Sequence, residues 1–255
     1  MMNRLLFATI LLASSLSNNF FGHGGGIAIV AAEDAHPQCD EWASTGECSL
    51  NPTYMWSSCA DACGKLAETE RTMSAEIEKK IANINSFFDL EALDIDKNVV
   101  KFDQFRGKVT VITNVASYCG YTESHYTGLV HLHYRFKNSP VGFNILAFPC
   151  NQFGNQEYVV VWPEECPAIK LFAKQKGVEF MMMDKVDVNG LDASPVYHYL
   201  KKVAGPPRIT WNFATYYLVK PDGTTQSFSG VEPMELVPHI SKAMGIDDEE
   251  ANSEF

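Results

Sequence analysis

A cysteine closing a run of β-branched residues is the side chain of this sequence best placed to do chemistry. The run Val109-Thr110-Val111-Ile112-Thr113-Asn114-Val115 leads into Ala116-Ser117-Tyr118-Cys119-Gly120-Tyr121-Thr122. Its composition predicts a buried central strand, and the Gly-containing segment after it predicts a turn into a helix. Cys119 then falls near a helix N-terminus, where free backbone N–H groups and the positive end of the macrodipole favour thiolate over thiol. A cysteine so placed is a nucleophile, although a buried cysteine also serves as a small apolar residue. The local pattern leaves both readings open. Thr122 stands where a Cys-x-x-Cys redox motif carries its second thiol, which argues against a dithiol oxidoreductase of the thioredoxin kind.

Two further segments bear on Cys119. Phe148-Pro149-Cys150-Asn151-Gln152-Phe153-Gly154-Asn155-Gln156-Glu157 follows the apolar run Phe143 to Phe148, and Trp211-Asn212-Phe213 opens another. Taken singly, Gln156 reads as a loop residue, Trp211 as a core aromatic and Asn212 as a turn former. Taken together with Asp184-Lys185-Val186-Asp187-Val188-Asn189-Gly190, these strings resemble the glutathione peroxidase family over roughly Ser86 to Met244. The resemblance implies that Cys119 is the peroxidatic cysteine, at a position where the family carries cysteine or selenocysteine. It also implies a catalytic tetrad completed by Gln156, Trp211 and Asn212, with Gln156 and not Gln152 as the glutamine. Two amides and an indole each supply N–H donors. Converging on one sulfur, they would stabilise its anion and bind the oxygens of a peroxide. The expected activity is reduction of hydrogen peroxide and organic or lipid hydroperoxides by a thiol, with no cofactor and no metal. Glutathione or thioredoxin would act as co-substrate.

The same resemblance leaves the second thiol open. Plant-type members resolve their sulfenic acid with a cysteine in the helix before the Asp-Lys-Val-Asp-Val-Asn-Gly motif, and an ungapped alignment puts Ala173 there. Cys166, seven positions earlier, lies in a segment from Tyr158 to Pro167 that departs from the family pattern; it is either a displaced resolving residue or inert. Cys150 reads as structural. Without an internal resolver, the reductant is glutathione, thioredoxin or a protein disulfide isomerase. Thr215 replaces a lysine usual in the family soon after Trp-Asn-Phe, which removes one basic residue from the region of the reducing substrate. The short stretch from Gly190 to Trp211 resembles the monomeric short-loop members, which accept bulky lipid hydroperoxides.

The chain has 255 residues, 46% of them hydrophobic, with a formal net charge of −11. That length can bury a sizeable core, and the acidity argues against nucleic acid and anionic membranes as partners. Residues 1–32 begin with a basic segment and the apolar stretch Leu5 to Ala13, too short to span a membrane. This reads as a secretory signal, with a two-part plastid-targeting signal as the alternative. His23 among glycines reads as linker. Residues 33–67 hold four of the seven cysteines, Cys39, Cys48, Cys59 and Cys63, in a stretch with little apolar content, as in a disulfide-dependent module in an oxidising compartment. Four cysteines permit three connectivities. A zinc site is the competing reading, at poor ligand spacing. The string from Cys39 to Gly64 resembles the ShK-toxin-like module without its outer cysteine pair, and that resemblance implies the bonds Cys39–Cys59 and Cys48–Cys63. An appended binding module raises a second reading of the whole chain, a secreted binding protein with a vestigial catalytic fold.

The elements that must position the tetrad follow from periodicity. A connecting helix is expected within 68–85, capped at Ser74, with Ile77, Ile81 and Ile84 on one face. A peroxidase-like domain is expected over 86–244 and an acidic tail over 245–255. Within the domain the expected order is a hairpin over Phe88 to Phe105, the strand leading to Cys119 and a helix from about Glu123 to Lys137. Strand Phe143 to Phe148, helix Glu165 to Lys176, strand Val178 to Val186 and helix Pro195 to Val203 come next. Strands Asn212 to Lys220 and Gln226 to Ser229 and helix Pro233 to Met244 close it. Alternating strands and helices with a terminal hairpin suit an α/β, thioredoxin-like fold: a central mixed sheet flanked by helices, plus the small disulfide-rich N-terminal module. Cys119 lies at the C-terminal edge of a central strand, where open α/β sheets place their sites.

Overall fold

The computed structural model describes residues 33–158 and 165–246. The expected signal segment, Asp247 to Phe255 of the acidic tail and the Cys166 side chain lie outside the described residues. The chain divides into two compact units, with the boundary between Leu66 and Ala67.

The first unit packs three short helices, α1 (Cys39–Ser44), α2 (Glu47–Leu50) and α3 (Pro52–Ser58), around Cys39, Ala43, Met55, Cys59, Ala62 and Cys63. So small a core cannot offset the entropy of ordering the chain, and covalent links take its place. Cys39 is bonded to Cys59 and Cys48 to Cys63. The Asp34 carboxylate accepts from the backbone N–H groups of Asp61 (2.9 Å) and Ala62 (3.0 Å), which satisfies free donors at the start of α4 (Ala60–Lys80). The expected connecting helix therefore starts earlier and ends earlier than 68–85. Residues 60–80 contain no proline and are rich in Ala, Glu and Lys, so nothing interrupts the helix at Ser74, which lies mid-helix and exposed and caps nothing.

In the second unit β1 (Glu91–Leu93) and β2 (Val99–Lys101) form the antiparallel hairpin around the Asp94 to Asn98 turn. The main sheet has the order β5-β4-β3-β6-β7, built from β3 (Val109–Val115), β4 (Phe143–Pro149), β5 (Met181–Met182), β6 (Thr215–Val219) and β7 (Thr225–Ser229). Strands β3, β4 and β5 run parallel, while β6 is antiparallel to both β3 and β7. All seven residues of β3 are buried because both faces of the sheet are covered, which is why its sequence is a continuous run and not an alternation. Val109, Val111 and Val115 meet α5 (Thr122–Phe136), α6 (Glu165–Gln175) and α8 (Val237–Met244), whereas Ile112 faces α7 (Pro195–Ala204) and the hairpin. This is the thioredoxin-like arrangement, a mixed sheet between helical layers.

Three expected elements differ. The strand expected over Val178 to Val186 is reduced to Met181–Met182, because its neighbouring backbone is drawn to the hairpin: Ile95 N donates to Met182 O at 3.0 Å and Asp184 N to Leu93 O at 2.8 Å. The strand expected from Asn212 starts only at Thr215, since Phe213 is left-handed (φ 62°) and its N–H donates to Asn114 O at 2.9 Å. The last helix is split into a 3₁₀ turn, Pro233–Leu236, and α8. Pro238 has no N–H to continue the ladder across the break. Gly128, a weak point of α5 by propensity, is where Pro233 closes on the helix; a Cβ there would lie 2.9 Å from two carbons of its ring.

Candidate active site

The end of β3 delivers Cys119 to its place. Beyond Val115 the chain turns into α5, with Thr122 N donating to Cys119 O (3.0 Å) and Thr122 Oγ1 to Ala116 O (2.7 Å). These bonds clamp the segment between them, and Cys119 is 7% exposed. The neighbouring strand β4 brings the second segment alongside. Cys150 N donates to Val115 O at 2.9 Å, and Tyr118 N donates to Gln156 O at 2.8 Å, so the residue before Cys119 is fastened to the backbone of Gln156. The loop reaches this point through two left-handed residues in succession, Gly154 (φ 64°) and Asn155 (φ 53°).

Gln156 and Gln152 have different employment. Gln152 Oε1 accepts from Val188 N (2.8 Å) and Asn189 N (2.9 Å), and its Nε2 donates to Asn189 O (2.9 Å), so its carboxamide is consumed in holding the loop. Gln156 Oε1 accepts from Asn212 Nδ2 at 3.3 Å. Asn212, fully buried, in turn accepts on Oδ1 from Asn114 Nδ2 at 3.0 Å, and the same Asn114 nitrogen lies 3.3 Å from Trp211 O. Three carboxamides are thus ordered in one direction, Asn114 to Asn212 to Gln156. The ordering leaves both N–H bonds of Gln156 Nε2 unspent among the described residues. Trp211 is 39% exposed, its ring 5.9 Å from that of Phe153, and its indole N–H also meets no acceptor among the described residues. The structure therefore gathers Gln156, Trp211 and Asn212 into one cluster tied to the Cys119 segment by the Tyr118–Gln156 bond.

Asn114 is the member that sequence reasoning missed. Its signal is legible in retrospect: a carboxamide, fully buried, in a strand otherwise built of Val, Ile and Thr. Its Nδ2 is partnered by Asn212 Oδ1 and Trp211 O, while its Oδ1 has no partner among the described residues.

The remaining groups divide into inert and responsive. Burial pushes the Cys150 thiol up to about 11, with its side chain inaccessible, consistent with a structural residue. The Tyr118 phenol is pushed up to about 12, first by its hydrogen bond with Tyr158, whose ring lies 4.8 Å away. Glu157, 1% exposed, has its carboxyl pulled above the usual range by burial, against the hydrogen bonds and the Lys185 charge that oppose it. Its Oε1 accepts from Tyr158 N at 2.8 Å, and Ser117 also favours the anion by hydrogen bonding without offsetting the burial. Ala173, where a plant-type resolver would fall, is buried on the core face of α6. No group of three or more His, Cys, Asp or Glu residues able to hold a metal exists among the described residues.

A parallel strand that runs through a short turn into a buried cysteine, beside a loop and a turn that carry amide and indole donors, defines a thiol-based oxidoreductase of the thioredoxin-like fold. Comparison with known proteins narrows the class. The glutathione peroxidase profile matches residues 87–201, and the ShK domain-like profile matches residues 32–65. The chain is 39% identical to the probable phospholipid hydroperoxide glutathione peroxidase 6, mitochondrial, of Arabidopsis thaliana, over 71% of this chain and 75% of that protein. It is 42% identical to glutathione peroxidase 7 of Homo sapiens, over 54% of this chain and 69% of that protein. The apo crystal structure of Trgpx superposes with a TM-score of 0.51 at 33% identity, covering 63% of this chain and 97% of that one. The chain belongs to the glutathione peroxidase family, and so to the peroxidases, and carries an ShK-like domain before its catalytic domain.

Proposed function

We propose that the protein reduces hydroperoxides at Cys119 and is returned to its thiol form by an external thiol. The Cys119 thiolate attacks the distal oxygen of ROOH; the O–O bond breaks, ROH leaves with a proton, and sulfur is oxidised to the sulfenic acid Cys119–SOH. A thiol R′SH condenses with it to Cys119–S–S–R′ and water. A second R′SH then releases R′S–SR′ and restores the thiol. Gln156, Trp211 and Asn212 are the donors that hold the sulfur anion and the peroxide oxygens. The observation that carries this reading is the directional carboxamide chain, which leaves Gln156 Nε2 as an oriented donor without adding a competing charge.

Buried Ala173 at the plant-type resolver position and an inaccessible Cys150 favour the one-cysteine scheme over an internal disulfide. Two disulfides in the first unit favour an oxidising compartment of the secretory pathway. Hydrogen peroxide and lipid hydroperoxides are the oxidising substrates, the protein acting as a monomer. The test is peroxide consumption by the mature chain and by Cys119→Ser with glutathione, thioredoxin and a disulfide isomerase as reductants, joined to mass analysis after one equivalent of peroxide. Turnover retained in Cys119→Ser overturns the assignment, and a Cys119–Cys166 disulfide replaces the one-cysteine scheme.

A further inference from the structure

A cleft of about 390 Å³ opens beside the proposed site and reaches Trp211 and Asn212. Its other walls include Tyr121, His125 and the carboxylates of Glu232 and Glu235, and no lysine or arginine lines it. Both carboxylates are exposed and fixed in place. Glu232 and Glu235 close a capping box at the 3₁₀ turn, Glu232 N donating to Glu235 Oε1 at 2.7 Å, so they cannot swing away from the cleft without uncapping it. His125 adds no compensating charge. It is buried against Phe213 and Tyr216, its Nδ1 is 2.5 Å from the Tyr216 hydroxyl and its Nε2 is 3.4 Å from Glu232 Oε1, and burial holds it below the usual imidazole range, against the pull of Glu232.

We infer that this cleft seats the reducing thiol, and that it selects a cysteine flanked by cationic side chains over an anionic thiol such as glutathione. The inference rests on the peroxidase reading above and names the substrate class of its second half-reaction. Three features point the same way. The cleft shares Trp211 and Asn212 with the proposed site, so a thiol held in it lies against two of the residues assigned to Cys119. Its two carboxylates attract a cation and repel glutathione, whose two carboxylates outweigh its one ammonium, and the walls of the cleft focus that field. The ring faces of Tyr121 and Trp211, both exposed, offer a cation a second attraction. The reaction served is R′SH + Cys119–SOH → Cys119–S–S–R′ + H₂O, in which the new S–S bond replaces the S–O bond and no further oxidant or reductant is required.

Two acetylated, amidated pentapeptides, Gly-Lys-Cys-Lys-Gly and Gly-Glu-Cys-Glu-Gly, are the probes, with glutathione as a third reductant. The readout is the ratio of kcat/KM for the lysine peptide to that for the glutamate peptide, measured in the full mature chain and in the double variant Glu232→Gln, Glu235→Gln. Intrinsic differences in thiol reactivity between peptides, and any general loss of activity in the variant, cancel between the two ratios. Glutamine keeps the acceptors of the capping box. The expected result is a ratio that falls roughly fivefold or more in the variant, and that also falls in the unaltered protein as salt is raised from 0.02 to about 0.5 M. A ratio unchanged by the variant and by salt overturns the inference, as does glutathione matching the lysine peptide. Oxidation of Cys119 by peroxide in the absence of any thiol is followed separately by mass: its failure would sink the peroxidase reading itself, whereas its success with a flat ratio removes only the cleft's role.

Discussion

Asn114 Nδ2 donates to Asn212 Oδ1 at 3.0 Å across 98 positions of sequence, joining the C-terminal end of the central strand to the turn that carries Trp211. The bond decides which way the Asn212 carboxamide faces, and through Asn212 Nδ2 it decides that Gln156 presents nitrogen and not oxygen to the site. Asn114 touches no substrate in this scheme; it positions the groups that do. Asn114→Ala should leave Asn212 Oδ1 buried without its donor, at about 1–3 kcal/mol of stability. It should also lower the rate of Cys119 oxidation by peroxide by about tenfold or more. Thr113→Val is the control, since Thr113 Oγ1 donates to Thr215 O at 3.0 Å one residue away in the same buried strand without joining the carboxamide chain. Stopped-flow oxidation and urea unfolding of both variants decide: equal losses of stability with equal losses of rate would reduce Asn114 to a core residue.

How much of this was legible in the sequence depends on the range of the interaction that fixes each element. Strand β3, helix α5 and strand β4 were readable because composition and period are local properties, and their observed bounds lie within a residue or so of expectation. The edge strand near Met181 was not, since the hydrogen bonds that shorten it come from the Leu93 to Ile95 turn, far away in sequence. Ser74 misled because a serine before an acidic turn resembles a cap, while the helix-forming residues on both sides of it propagate straight through. Gln156 was separable from Gln152 only by family resemblance; the physical reason, that Gln152 is spent on Val188 and Asn189, needed the fold. Asn114 was hidden by its own strand, whose remaining residues are apolar or threonine.

Trp211 offers the sharpest separation of donor from packing. Trp211→Phe keeps a ring against Phe153, 5.9 Å away, and deletes the indole N–H. Removing one preorganised donor from a developing anion costs about a hundredfold in rate, so kcat/KM for peroxide should fall by that order while the urea midpoint stays put. A Phe variant as fast as the parent would show that the ring and not its N–H is what matters.

Gly128 should tolerate no side chain. A Cβ there would lie 2.9 Å from both Cβ and Cγ of Pro233, and the proline ring sits at the start of a capped 3₁₀ turn with little freedom to retreat. Although alanine is the better helix former, Gly128→Ala should destabilise the domain by about 1–3 kcal/mol, overpacking outweighing the roughly 1 kcal/mol gained in propensity. Urea unfolding measures the sign. A stabilised variant would mean that the Pro233 turn moves freely.

Glu157 should make the domain's stability fall as pH rises above the carboxylate range. Its carboxyl is protonated more readily in the folded chain than in the unfolded one, because burial penalises the anion by more than its hydrogen bonds and the Lys185 charge favour it. The folded state therefore holds more protons than the unfolded state between the unfolded value, about 4.5, and the higher folded one, and stability declines across that window as pH increases. Glu157→Gln removes the charge while keeping an acceptor for Tyr158 N, which donates to Glu157 Oε1 at 2.8 Å. The variant should gain little over the parent at pH 4 and more at pH 8. Urea midpoints at the two pH values test this, and a gain that is larger at pH 4 would reverse the sign and mean that the buried carboxylate is stabilised as an anion.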